Sequence, residues 1–166
     1  MFRAMNTSNG NGNGNGNGNS DASGPTTSAI PVVRAFLTAL ERLDLDAAGE
    51  FLADDVLYQN VPLPADRGKA ATLRTLRLFM RFGDRFEARI RNIAERDGVV
   101  LTERTDVLGV RSAELAFWVC GTFEVRGGKI VLWRDYFDLG TFVLQAAKVA
   151  PMLALHLAGN LRRQTA

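Results

Sequence analysis

The chain has 166 residues, enough for one domain with a real core and short of the usual size of two. Its 20 Lys and Arg against 18 Asp and Glu leave a charge of +2, too small a surplus to point to nucleic acid. One cysteine, Cys120, and one histidine, His156, exclude an internal disulfide framework and a multi-cysteine metal site. No apolar core of a secretory signal follows the first basic residue, and no run approaches the roughly 18–20 apolar residues of a membrane span. A soluble cytoplasmic protein is the default expectation.

Residues 1–28 carry a Gly/Asn repeat with polar trim, "NTSNGNGNGNGNGNSDASGPTTS". Such a segment has too little apolar surface to offset its ordering entropy, so a disordered tail is expected. After it, Ser28 can cap a helix with Pro31 in its first turn. Val33, Phe36, Leu37 and Leu40 form the apolar stripe of that helix, continued by Phe51 and Leu52 on a second short one. "DVLYQNVPLP" reads as a short strand stopped by Pro62 and Pro64. A third helix turns Leu73, Leu76, Phe79 and Met80 inward. Its Arg74, Arg77 and Arg81 read as a solvated face.

Strands fill the second half. "RFEARIRNIAE" alternates Phe86, Ala88 and Ile90 with charged neighbours, the pattern of an antiparallel strand buried on one face. Asp97-Gly98 turns the chain into "VVLTERTDVLGV", and "ELAFWVCGTFEV" and "KIVLWRDYFDL" pair about Gly127-Gly128. This order predicts an α+β fold: a curved, mixed, mostly antiparallel sheet wrapped around helices to form a cone with an internal apolar pocket. The cone is expected over residues 29–143, with an apolar helical extension over 144–166 that contains His156.

Alternate residues of a strand share a face. Val100, Thr102, Arg104, Asp106, Leu108 and Val110 therefore point one way, setting an Arg and an Asp among aliphatic side chains. If the last hairpin closes on a two-residue loop, Cys120 opposes Asp135. Asp135 then shares its face with Trp133, Phe137, Trp118, Cys120 and Thr122, the wall expected to hold an oily ligand. Tyr58 and Asn60 share a face with Val56 on the short strand. The turn "RSAE" lacks a glycine and leaves the register open: a three- or five-residue loop sets Arg104 on the Asp135 face, and a four-residue loop does not.

Each group has a plain structural reading. Arg104 and Asp106 could be an ion pair, backbone amides could cap Asp135, and Tyr58 with Asn60 could simply end a strand. Convergence on one cavity favours function, because two carboxylates and an Arg in an apolar pocket are poor choices for stability. Opening a strained ether with water calls for this set. One carboxylate takes a proton from water, the other gives one to the departing oxygen, and an Arg between them couples their titration. Tyr58 and Asn60 could fix the water.

"YQNVPLP", "TERTDV" and "WRDYFDL", in that order and spacing, resemble the limonene-1,2-epoxide hydrolase family, small members of the nuclear-transport-factor-2-like superfold. The resemblance spans roughly residues 30–143. It implies Asp135 as general base on a water held by Tyr58 and Asn60, Asp106 as general acid at the epoxide oxygen, and Arg104 bridging them. It also implies direct attack by water, no cofactor or metal, a small lipophilic epoxide as substrate, and a homodimer. Two other readings compete: a cone-fold isomerase or cyclase acting on a ketone, and a non-enzymatic carrier of an apolar ligand.

Overall fold

The computed structural model describes residues 28–164 apart from 82 and 111, with side chains in the C-terminal helix described through 154 except 149, 152 and 153. The expected disordered tail, and the side chain of His156, lie outside the described residues. Three helices, α1 (Ile30–Glu41), α2 (Leu45–Glu50) and α3 (Lys69–Met80), interleave with β1 (Leu52–Val61) and the short β2 (Asp66–Arg67). Four strands follow, β3 (Arg85–Arg96), β4 (Val99–Val110), β5 (Ala113–Arg126) and β6 (Lys129–Phe137), and α4 (Leu139–Gln164) closes the chain. They form one open six-stranded sheet in the order β2-β1-β6-β5-β4-β3, antiparallel throughout except for the parallel β1–β6 pair. The mixed, mostly antiparallel sheet agrees with the α+β expectation.

Two local details differ from it. Ala29, not Ser28, is the N-cap of α1, although the Ser28 hydroxyl accepts from the Ile30 amide at 3.4 Å; Glu95, reaching across from β3, accepts from the Ala29 and Ile30 amides at 2.9 and 3.3 Å and from the Ser28 hydroxyl at 2.6 Å. A carboxylate at a helix N-terminus meets both the free amides and the dipole. Phe51 and Leu52 do not extend α2: Phe51 is its C-cap, and Leu52 opens β1. The core forms where α1 lies on the sheet, with Phe36 edge-on to Trp133 at 5.0 Å and Trp133 stacked between Tyr58 and Phe123.

The register of β5 decides which side chains reach the inside. Gly127 and Gly128 both take positive φ, 55° and 74°, and close a two-residue hairpin with Val125 opposite Ile130. A bulge follows at once, for Glu124 faces Leu132. That one extra residue on β6 puts Gly121, not Cys120, opposite Asp135. Trp118, Cys120 and Thr122 consequently leave the Asp135 face, and Trp118 is 52% exposed on the outer side of the sheet. Between β4 and β5, Val110 pairs with Ala113, so Arg104 faces the odd-numbered Val119. An even-length connection combined with the bulge returns Arg104 to the Asp135 face, a combination outside the loop lengths weighed from sequence.

Candidate active site

A row of partners runs across four strands: Thr102 on β4, Gly121 on β5, Asp135 on β6 and Asn60 on β1. Arg104 and Asp106 stand beside it on β4, and Tyr58 stands beside Asn60 on β1. A cavity of about 200 Å³ lies between this part of the sheet and the helices. Tyr58, Asn60, Asp106 and Asp135 supply its polar lining. Leu76 and Met80 from α3, Phe117 and Val119 from β5, and Phe142 from α4 belong to its apolar wall.

Arg104 is 1% exposed and is the largest fully buried side chain among the described residues. Its Nε donates to Asp106 Oδ1 at 2.8 Å and its Nη2 to Asp106 Oδ2 at 3.1 Å. The same Nη2 donates to Asp135 Oδ2 at 2.6 Å, and Nη1 donates to Thr102 Oγ1 at 3.1 Å. Burial disfavours the cation, but the two carboxylates outweigh it and raise the Arg104 pKa. Asp106 is pushed up to about 6, by desolvation first, against the pull of Arg104 and with Asp135 and Glu41 adding to the rise. Asp135 Oδ1 is buried and accepts no hydrogen bond among the described residues.

Asn60 Nδ2 donates to the Tyr58 hydroxyl at 2.5 Å. Burial, then the nearby Asp135, raises the Tyr58 pKa, so the phenol keeps its proton and can donate it. The five side chains expected to act together are thus gathered in one place. Of the four expected on the substrate wall, Trp133 and Phe137 line the cavity; Trp118 and Cys120 do not, because of the β6 bulge. Phe117 and Val119 take their places.

Three contributors escaped the sequence reading. Thr102 occupies the third arm of the guanidinium. Glu41, at the end of α1, accepts from the Ala88 amide at 2.9 Å, directly across the β3–β4 ladder from Asp106. Gly121 matters most. Arg104 and Asp135 lie two strands apart with β5 between them, and a Cβ at 121 would collide with Arg104 Nη1 and come within 2.6 Å of Thr102 Oγ1 and 2.9 Å of Asp135 Oδ1. A glycine inside a strand was the available signal, since such positions often mark a close approach.

The catalytic-domain model of limonene-1,2-epoxide hydrolase matches residues 27–148, and the chain belongs to that family. Over 108 residues it is 47% identical to epoxide hydrolase EphG of Mycobacterium tuberculosis, covering 64% of this chain and 71% of that protein. The solved structure of an M. tuberculosis LEH-like epoxide hydrolase aligns with a TM-score of 0.66 and 41% identity, over 76% of this chain and 95% of that one. A SnoaL-like polyketide-cyclase candidate from Shewanella denitrificans aligns with a TM-score of 0.65 at 12% identity, over 72% and 97% of the two chains. That last likeness establishes the cone fold alone.

Gly121→Ala tests the notch. The added methyl must displace Arg104 or Asp135, and misplacing a reacting group by about 1 Å costs on the order of 10²-fold in rate. Turnover is expected to fall by that factor with the chain still folded; wild-type turnover in a folded G121A variant would show that the close approach is dispensable.

Proposed function

We propose that the protein is an epoxide hydrolase that adds water directly to a lipophilic epoxide and releases a vicinal diol, with no covalent enzyme intermediate and no cofactor. The observation that carries this reading is one buried Arg104 shared by two carboxylates of unlike surroundings. With both ionised, the triad holds a net negative charge inside an apolar cavity. Uptake of one proton neutralises it, and Asp106, with its raised pKa, takes that proton.

Asp135 then serves as base through its free Oδ1, while Tyr58 and Asn60 orient the water. As the water oxygen bonds to an epoxide carbon, its proton passes to Asp135. The carbon–oxygen bond of the ring breaks, and Asp106 gives its proton to the departing oxygen. Moving a proton from Asp135 back to Asp106, directly or through solvent, restores the resting state. Trp133 and Phe137, with Phe117 and Val119, hold the hydrocarbon portion. A homodimer belongs to the same reading, supported by Trp118, Leu101 and Tyr136 exposed on the outer face of the sheet.

Three measurements test it. Asp106→Asn and Asp135→Asn should each lose ~10²–10⁴-fold in turnover, and the double variant should be scarcely worse than the poorer single one. A purely structural ion pair would instead lower the melting temperature of D106N and leave the rate per folded molecule within a few-fold of wild type. Because Asp106 acts in its protonated form, kcat/KM should decline as pH rises through about 6, approaching tenfold per pH unit beyond it; a rate that climbs through that range would remove Asp106 as the acid. A single turnover in oxygen-18 water should put label in the diol from the first molecule. First-turnover diol carrying unlabelled oxygen from Asp135 would mean an ester intermediate and a different mechanism.

A further inference from the structure

Thr102 is 1% exposed and shares the inner face of β4 with Arg104 and Asp106, yet it does not line the cavity. Packing in a strand asks only for a branched side chain, which valine supplies as well as threonine. The hydroxyl is what needs a reason. It donates across the ladder to the Gly121 carbonyl at 3.5 Å and accepts from Arg104 Nη1 at 3.1 Å. The first bond turns its hydrogen toward β5 and leaves its lone pairs to the guanidinium.

A second acceptor for Nη1 lies close by. A Cβ built on Gly121 would meet Arg104 Nη1 and would stand 2.6 Å from Thr102 Oγ1 and 2.9 Å from Asp135 Oδ1. One donor and two oxygens therefore converge over Gly121. Only the Thr102 oxygen takes the donor. Asp135 meets the guanidinium through Oδ2, at 2.6 Å from Nη2, while its Oδ1 accepts no hydrogen bond among the described residues. Without the hydroxyl, Nη1 would be a buried donor lacking a partner, a costly state that a small turn toward Oδ1 would relieve. Asp135 would then grip the guanidinium with both oxygens, the fork geometry that arginine and carboxylates favour.

We propose that Thr102 is a positioning residue whose hydroxyl holds Arg104 Nη1 off Asp135 Oδ1, so that Asp135 spends one oxygen on the cation and keeps the other for water. A carboxylate held by two charge-assisted bonds is a weaker base than one held by a single bond. The catalytic consequence rests on Asp135 acting as the base; the division of contacts does not.

Two variants separate shape from hydroxyl. Thr102→Val keeps the branched shape and loses the hydroxyl, whereas Thr102→Ser keeps the hydroxyl and loses a methyl. Crystal structures are determined for both, and turnover of a lipophilic epoxide is measured per folded molecule. The valine variant should show Nη1 within hydrogen-bonding distance of Asp135 Oδ1. Its kcat should fall on the order of 10–100-fold, as for a displaced reacting group, with KM near wild type because Thr102 does not line the cavity. The serine variant should keep the wild-type contacts and a rate within a few-fold. A hydroxyl that serves stability alone would lower the melting temperature of T102V and leave kcat unchanged, which would overturn the proposal. So would a serine variant as slow as the valine one, or Nη1 still apart from Oδ1 in T102V. If T102V does not fold, Thr102→Ala is read in the same two ways. A wild type that hydrolyses no epoxide would sink the proposed function, and the crystal structures would still decide whether the hydroxyl governs the Asp135 contact.

Discussion

A fully buried guanidinium constrains this molecule more than any other single group. Taking a cation out of water costs several kcal/mol even after the surroundings relax, and only close, well-directed partners offset that cost. Arg104 has them on three sides: Asp106 by two oxygens, Asp135 by one, and Thr102 by its hydroxyl. These partners come from two strands that are not neighbours. The sheet must therefore bring β4 and β6 together over a β5 that offers no side chain at the crossing, which Gly121 satisfies. The register of three strands, the bulge on β6 and a glycine where β-propensity would favour a branched residue all serve this one contact.

The same contact gives two chemically identical carboxyl groups different surroundings. Asp106 gives both oxygens to the guanidinium, whereas Asp135 gives one and keeps Oδ1 free of any described donor. A carboxyl group has about four lone-pair positions, so a proton on Asp106 need not break its bonds to Arg104. A positively charged neighbour alone would pull Asp106 toward ionisation. The apolar cavity opposes this, and desolvation is the larger influence on Asp106. Burial and the guanidinium thus act against each other at Asp106, and burial prevails.

Much of this was legible before any coordinates, because period-2 alternation places charges on a face whatever the pairing. Arg104 with Asp106, Tyr58 with Asn60, and Asp135 with Trp133 follow from alternation within single strands. What joins one strand to another is register, and register rests on single residues that leave little trace in composition. The extra residue on β6 turned Trp118 and Cys120 outward and Phe117 and Val119 inward; an aromatic residue at both 117 and 118 made either parity plausible. Gly121 was visible as a glycine in a strand, but its purpose needed the neighbours on both sides. Glu41 and Glu95 act across the tertiary fold, from a helix end to a strand and from a strand to a helix start, where no local pattern reaches.

The fold by itself says little about chemistry, since a protein only 12% identical shares it at a TM-score of 0.65. What individualises this chain is a polar row laid along one sheet, in a cavity that is otherwise hydrocarbon. Groups on paired strands are held by backbone ladders on both sides, so their separations are set by the lattice of the sheet rather than by loop conformation. Such rigidity suits the proposed reaction, because a concerted step gains only when acid, base and nucleophile are placed at once. Substrate breadth then depends on the movable part of the cavity, the apolar side chains that α3 and α4 bring over the row. A fixed polar floor under a hydrocarbon roof lets the wall vary in shape while the reacting atoms keep their places.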